Sequence, residues 1–349
     1  MDIYLKTLKS LSKQDILTEE IIRQKFLKEH HIHAEIELSD ESYGSFIIKA
    51  DNFNFLITER PITYLNNKWA RVTNLQRKML DLKIPLPLYI GLGELVRDVN
   101  EILGDQTPLE ASNRWLFERF SVEVAVSYYM NYFLKSESLS PYKSILFEAI
   151  EAFYLGYDHI AIMALFPVFE GGLRNLQNKI LGTNSEDVQA EIFEKGLRKI
   201  LLEWGRKQCA DFDWHPGKDI YQEVEIDFFT HLNKQCDVIN ATLIFFNEIL
   251  YLPSKRIDNS ETQSFNRHII IHLLKNNFDE PSNFIRIFMY LTHITFIESL
   301  YNNNVPFFWD GISDKDNEIA KFIRDRMEMQ FSSRRNILEN YGLNLYKRT

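Results

Sequence analysis

Two periods of hydrophobic alternation run through this chain, and the change from one to the other divides it. Between His33 and Pro61 apolar residues alternate with polar ones and are punctuated by Ser, Gly, Asp and Asn, a pattern that predicts two or three antiparallel strands. Ahead of it, residues 1–30 interleave Leu, Ile and Phe with charges and predict one or two short helices. From Asn66 onward the period is helical almost throughout, broken at KIPLPLYIGLGE and at GDQTPLE, where Pro108 suits the first turn of a new helix.

A further break falls at SLSPYK, Ser138 to Lys143, before a strongly apolar region. Tyr142 to Leu181 then predicts two helices. The second is apolar on every side, so it is expected at the centre of a bundle, with Pro167 kinking it or marking a restart. Between Glu223 and Leu250, the residues Phe229, Leu232, Cys236, Ile239, Leu243, Phe246 and Leu250 follow a three-four spacing, which predicts one long helix with its seam against other helices of the same chain. Helices over Glu261 to Asn276, Ser282 to Tyr301 and Asp316 to about Tyr341 complete the series. The expected fold is mainly α, a C-terminal helical bundle preceded by a smaller α+β domain with a short antiparallel sheet. The boundaries read from the pattern are 1–140, 141–305 and 306–349.

Composition narrows the class. Over 349 residues, a hydrophobic content of 45% with only 13 Gly and 10 Pro describes a globular chain rather than a disordered one. The two cysteines, Cys209 and Cys236, are too few for a disulfide framework and suit a reducing compartment. No apolar signal-peptide core follows Met1, and the longest apolar run, Ile160 to Phe169, is far short of a membrane span of roughly 20 residues. The expectation is a cytoplasmic protein with no membrane partner. A net charge of −9 argues against coating nucleic acid through an overall basic surface and leaves room for a local basic cleft.

Most candidate motifs carry little. Ile90-Gly91-Leu92-Gly93 lacks the third glycine and the strand-helix setting of a dinucleotide site, no P-loop is present, and His30, His31 and His33 read as a solvated connection. No cofactor is implied. One segment stands out: Asn266-Arg267-His268-Ile269-Ile270-Ile271-His272 sets cations around an apolar turn. His268 and His272 share a helix face, but the neighbour of the first is Ile269 rather than the glutamate a zinc hydrolase needs, so no metal is expected. Asn266 is a favoured helix cap, which puts Arg267 in a first turn. An arginine fork suits a phosphate, and an imidazole with pKa near 6.5 suits proton transfer.

This segment resembles the R-x4-6-H motif of the HEPN superfamily, in which a polar residue usually follows the arginine, as His268 does here. The likeness extends to Ala164 through Arg174, which looks like the helix that in related HEPN proteins carries a glutamate facing the motif, here Glu170. It covers about Tyr142 to Tyr301. One departure is Leu273, where many relatives have glycine after the motif histidine.

The resemblance implies a metal-independent endoribonuclease of toxin or antiviral-defence type, working on RNA as a homodimer whose motifs meet across one cleft, with an antitoxin or regulatory protein as a possible partner. Arg267 and His272 would be catalytic, His268 would assist, and Glu170 would orient Arg267. Asn266 and Arg174 would contact substrate, the plainer account of Arg174 being an ion pair with Glu170 one turn away. Lys255, Arg256 and Lys275 would add positive charge near the motif. The alternative is a catalytically inactive scaffold or nucleotide-binding regulatory protein of the same type. The front domain's role is left open.

Overall fold

The protein is described by a computed structural model covering residues 1–39, 44–59, 74–187, 189–219, 221–252, 265–274, 278–307, 309 and 311–342, with only the backbone of 331 and 332. It is mainly helical with one three-stranded antiparallel sheet, as the pattern predicts. In chain order come α1 (Leu5–Leu11), α2 (Glu19–His30), β1 (Glu35–Leu38), β2 (Ser45–Ala50), β3 (Phe53–Thr58), α3 (Asn74–Asp81), α4 (Leu92–Leu103), α5 (Pro108–Arg119) and α6 (Val122–Tyr128). There follow α7 (Lys143–Tyr154), α8 (Asp158–Leu181), α9 (Ala190–Gln208), α10 (Gln222–Leu232), α11 (Lys234–Phe245), α12 (Arg267–Ile271), α13 (Pro281–Ser299) and α14 (Asp314–Asn340).

These elements pack as two compact units, one made of Met1–Arg77 with Gly196–Ala241, the other of Lys78–Lys195 with Thr242–Thr349. The division differs from the boundaries read near 140 and 305. Its physical reason lies in pairings distant in sequence: Leu56 N donates to Trp214 O at 3.0 Å and Asp213 N to Asn54 O at 2.8 Å, so the segment around Trp214 adds to β3. No hydrophobic period announces a pairing across more than 150 residues.

In the first unit the strands run in the order β1-β2-β3. Phe46, Ile48 and Ala50 of β2 alternate inward with Phe55 and Ile57 of β3, and Tyr4, Leu8, Phe26 and Trp214 close the core over them. A two-residue turn joins β2 and β3, where Asp51 adopts a left-handed φ of 55° and accepts a hydrogen bond from the Tyr4 hydroxyl.

In the second unit α7 and α8 form a hairpin and α13 packs on α8 and α5. The centre belongs to α13, buried from Pro281 through Thr295 without a break, and not to α8, whose Ile160 and Pro167 are exposed. Nor does Pro167 interrupt α8, which continues from Asp158 to Leu181. Pro167 lies on the exposed side of the helix, so its ring takes no room in the core. The polar residues of α13 hid its position in the sequence, and each is satisfied internally. His293 bonds Thr242 Oγ1 at 2.9 Å and Leu86 O at 2.6 Å, and Arg286 donates to Lys83 O, Ser282 Oγ, Asn283 Oδ1 and Asn113 Oδ1. Burial pushes the His293 imidazole down to about 4, which keeps it neutral.

The three-four seam is buried at every position from Phe229 to Leu250, yet it is not one helix. Asn233 is extended (φ −129°, ψ 122°) and its Oδ1 accepts from Gln235 N and Cys236 N, so it ends α10 and caps α11. After α11 a π-helical turn, Phe246–Leu250, finishes the run. Among the described residues no helix is long and apolar enough to cross a membrane.

Candidate functional site

The motif lies in the second unit on α12, a helix of five residues where the sequence pattern predicts sixteen: Phe265, Asn266 and His272 to Leu274 are not helical, and Glu261 to Ser264, Lys275 and Asn276 fall outside the described residues, as do Lys255 and Arg256. Asn266 explains where the helix starts: its Oδ1 accepts from His268 N at 3.0 Å and Ile269 N at 3.4 Å. Its Nδ2 donates to Leu252 O at 3.1 Å and Ile249 O at 3.4 Å, which ties α12 to the end of the π turn. Both polar groups of this buried side chain are therefore spent inside the protein. Asn266, expected to contact substrate, is here a buried helix cap with four internal hydrogen bonds.

Ile269 and Ile270 face the core together with Phe265 and fix the orientation of the turn. Arg267 is left at the edge, half-buried, while His268 and His272 are exposed. The apolar residues are thus a mount and the cations a rim.

Glu170, from α8, meets this rim. Arg267 Nε donates to its Oε1 at 2.7 Å and the guanidinium's Nη2 to its Oε2 at 3.4 Å, with the two side chains 23% and 13% exposed. The Tyr251 hydroxyl donates to the same Oε1, and the Tyr251 ring lies 5.9 Å from the guanidinium carbon. Burial opposes the charge on Arg267, but the hydrogen bond and charge of Glu170 outweigh it and hold the guanidinium above its ordinary value. Burial, and then the Glu170 carboxylate, push the Tyr251 phenol well up, so that it serves as a donor. Because Arg267 takes the carboxylate, no Glu170–Arg174 ion pair forms, and Arg174 is half-buried without an ion pair among the described residues.

The histidines make a second group. His268 and His272 stand edge to face with ring centroids 4.7 Å apart, the i, i+4 placement expected of a helix face. No hydrogen bond joins this pair to the Glu170, Arg267 and Tyr251 group among the described residues, although His268 follows Arg267 directly. No group of three or more His, Cys, Asp or Glu side chains is arranged to hold a metal ion among the described residues. His272 closes the helix, and Leu273 after it adopts φ +50°, the left-handed conformation that glycine enters most easily. Leu273 and Leu274 are both largely exposed.

Tyr251 was not legible as part of this site. It follows the seam by one residue, and the only signal, a polar aromatic after the buried Leu250, is common at helix ends. Comparison of the chain with protein-family models, with curated proteins and with solved structures finds no match.

Proposed function

We propose that the second unit is a HEPN-type, metal-independent endoribonuclease of toxin or antiviral-defence kind, active as a homodimer and held in check by an antitoxin or regulatory partner. The observation that carries this reading is the pairing of Arg267 with Glu170 beside two exposed imidazoles on one short helix. A guanidinium oriented by a carboxylate and still partly open to solvent offers its fork to a phosphodiester, stabilising the charge that accumulates on phosphorus. His272 takes the proton of the 2′-hydroxyl or delivers one to the leaving 5′-oxygen, and the products carry a 2′,3′-cyclic phosphate. A reaction that needs an acid and a base finds them in the His272 side chains of two copies, or in His272 with His268. Arg174, one turn along α8 from Glu170, adds a phosphate contact. The acidic total is compatible, because only the cleft has to be positive.

The deciding experiment is RNA cleavage by purified protein in EDTA, wild type against His272→Ala, with growth and total RNA integrity followed on overexpression. The proposal expects cleavage that persists in the chelator and falls by about 10² to 10⁴ in the variant. Equal cleavage by both proteins, or none by the wild type, overturns it.

A specific observation favours the second reading, a non-catalytic scaffold or nucleotide-binding regulator. Glu170 is engaged by Arg267 and Tyr251 at once, which ties α8, α12 and the residue after the π turn together. On that reading Arg267→Ala loosens the fold while the wild type cuts no RNA.

A further inference from the structure

In the second unit α14 packs against α6 and α7 and buries Asp316, Ala320 and Ile323, yet Phe322, Met329 and Ile337 of the same helix are 53%, 71% and 57% exposed. At 3.6 residues per turn these three fall within about 80° of one another around the axis, so they form a single apolar stripe about 22 Å long. A stripe of this kind marks a surface that another molecule covers.

The spacing of the stripe points to what covers it. It is nearly symmetric about Met329, with Phe322 seven residues before and Ile337 eight after. A second copy of α14 laid antiparallel across it therefore sets Phe322 against Ile337 twice and Met329 against Met329.

The charges are symmetric about the same point. Lys321, Asp325, Arg335 and Glu339 are all exposed and lie within about 80° of one another on the flank turned away from the body. In an antiparallel pair that flank faces its own copy, and a centre at residue 330 brings Lys321 to Glu339 and Asp325 to Arg335. Among the described residues Lys321 and Asp325 have no ion pair within the chain, while Arg335 and Glu339 have only each other, at 2.8 Å. The cations that would meet their like are held elsewhere: Arg324 by Glu123 of α6, Arg326 by Glu151 of α7, and Arg334 by Leu155 O at 2.7 Å. A parallel pair would set each flanking charge against its own like.

We infer that the face of α14 bearing Phe322, Met329 and Ile337 is an interface between two copies of this chain, packed antiparallel about a two-fold axis beside Met329. It stands apart from the ribonuclease reading, because α14 carries none of the motif residues.

The test is sedimentation of the full chain up to about 100 μM, where a dimer is expected. Met329→Glu, at a position exposed in the single chain, sets two carboxylates against each other and is expected to weaken the dimer about a hundredfold or more. Lys321→Glu weakens it, and adding Glu339→Lys restores it. A short bis-maleimide is expected to join Phe322→Cys to Ile337→Cys in a mixture and neither variant to itself; Cys209 and Cys236 are buried and do not compete. A monomer at the highest concentration overturns the inference and leaves the face to a different protein. A dimer that Met329→Glu leaves intact overturns it too, by placing the contact elsewhere, as does crosslinking of each cysteine variant only with itself.

Discussion

Glu170 on α8 receives Arg267 of α12 through two hydrogen bonds, Nε to Oε1 at 2.7 Å and Nη2 to Oε2 at 3.4 Å, across 97 residues of sequence. The pair is mostly shielded from water, so it is worth more than a surface ion pair and less than a sealed one. Glu170→Ala strands both the guanidinium and the Tyr251 hydroxyl, and is expected to cost about 1–3 kcal/mol in urea unfolding. A double-mutant cycle with Arg267→Ala should return a coupling of about 1 kcal/mol, whereas independent, additive losses would mean the contact contributes nothing. Arg267→Lys should not restore the coupling, because a point charge cannot reproduce the fork.

Leu273 spends conformational energy where a glycine would not. At φ +50° and 61% exposed, it gains little burial in return. Leu273→Gly is expected to match or exceed wild-type stability, and Leu273→Val to fall below it, the two variants differing by about 1–2 kcal/mol in urea midpoints analysed at fixed slope. If the valine variant proved as stable as the glycine one, the left-handed conformation at this position would be wrong.

Glu298 is fully buried and surrounded by donors: Ser136 Oγ at 2.5 Å, Glu137 N at 2.9 Å, Ser138 N at 3.2 Å and Lys179 Nζ at 3.4 Å. Burial raises its affinity for a proton, but the hydrogen bonds from Ser136, Ser138 and the backbone outweigh it and hold the carboxyl below its ordinary value. A folded-state value below the unfolded one means the stabilisation is complete above an unfolded carboxylate pKa of about 4.3 and is lost as pH falls below it. Lys179 keeps Glu137 at 2.9 Å, so Glu298→Gln strands donors rather than a charge; it should lower stability at pH 7 by about 1–3 kcal/mol and flatten the acid limb of a stability–pH profile. An unchanged acid limb in the variant would assign that limb to other groups.

Gly172 of α8 leaves no room for a methyl group: a Cβ there would lie 2.4 Å from Leu139 Cδ2 and 3.4 Å from Ile294 Cδ1. Alanine would gain helix propensity of about 1 kcal/mol and lose more to overpacking. Gly172→Ala is therefore expected to be net destabilising by about 1–2 kcal/mol in thermal or urea unfolding. A stabilised variant would show that Leu139 can move aside.

Much of the architecture was written locally. The alternation from His33 to Pro61 specified the sheet because side chains on a strand must alternate between two faces, and the three-four seam specified burial from Phe229 to Leu250 because a helix repeats its faces at that spacing. The sequence also placed Asn266 as a cap and put Glu170 opposite Arg267, the latter through resemblance to other chains. Tertiary structure decided what depends on partners distant in sequence. Asn233 ended a helix inside an unbroken hydrophobic period, since its side chain could satisfy the amides of the next one. The centre went to α13, whose Arg286, His293 and Glu298 argue for a surface until donors and acceptors from residues 83, 86, 113, 136–138 and 242 are brought to them. The reason is the same in each case: hydrophobic period is a property of neighbours along the chain, while the cost of burying a polar group is settled by whatever folds against it.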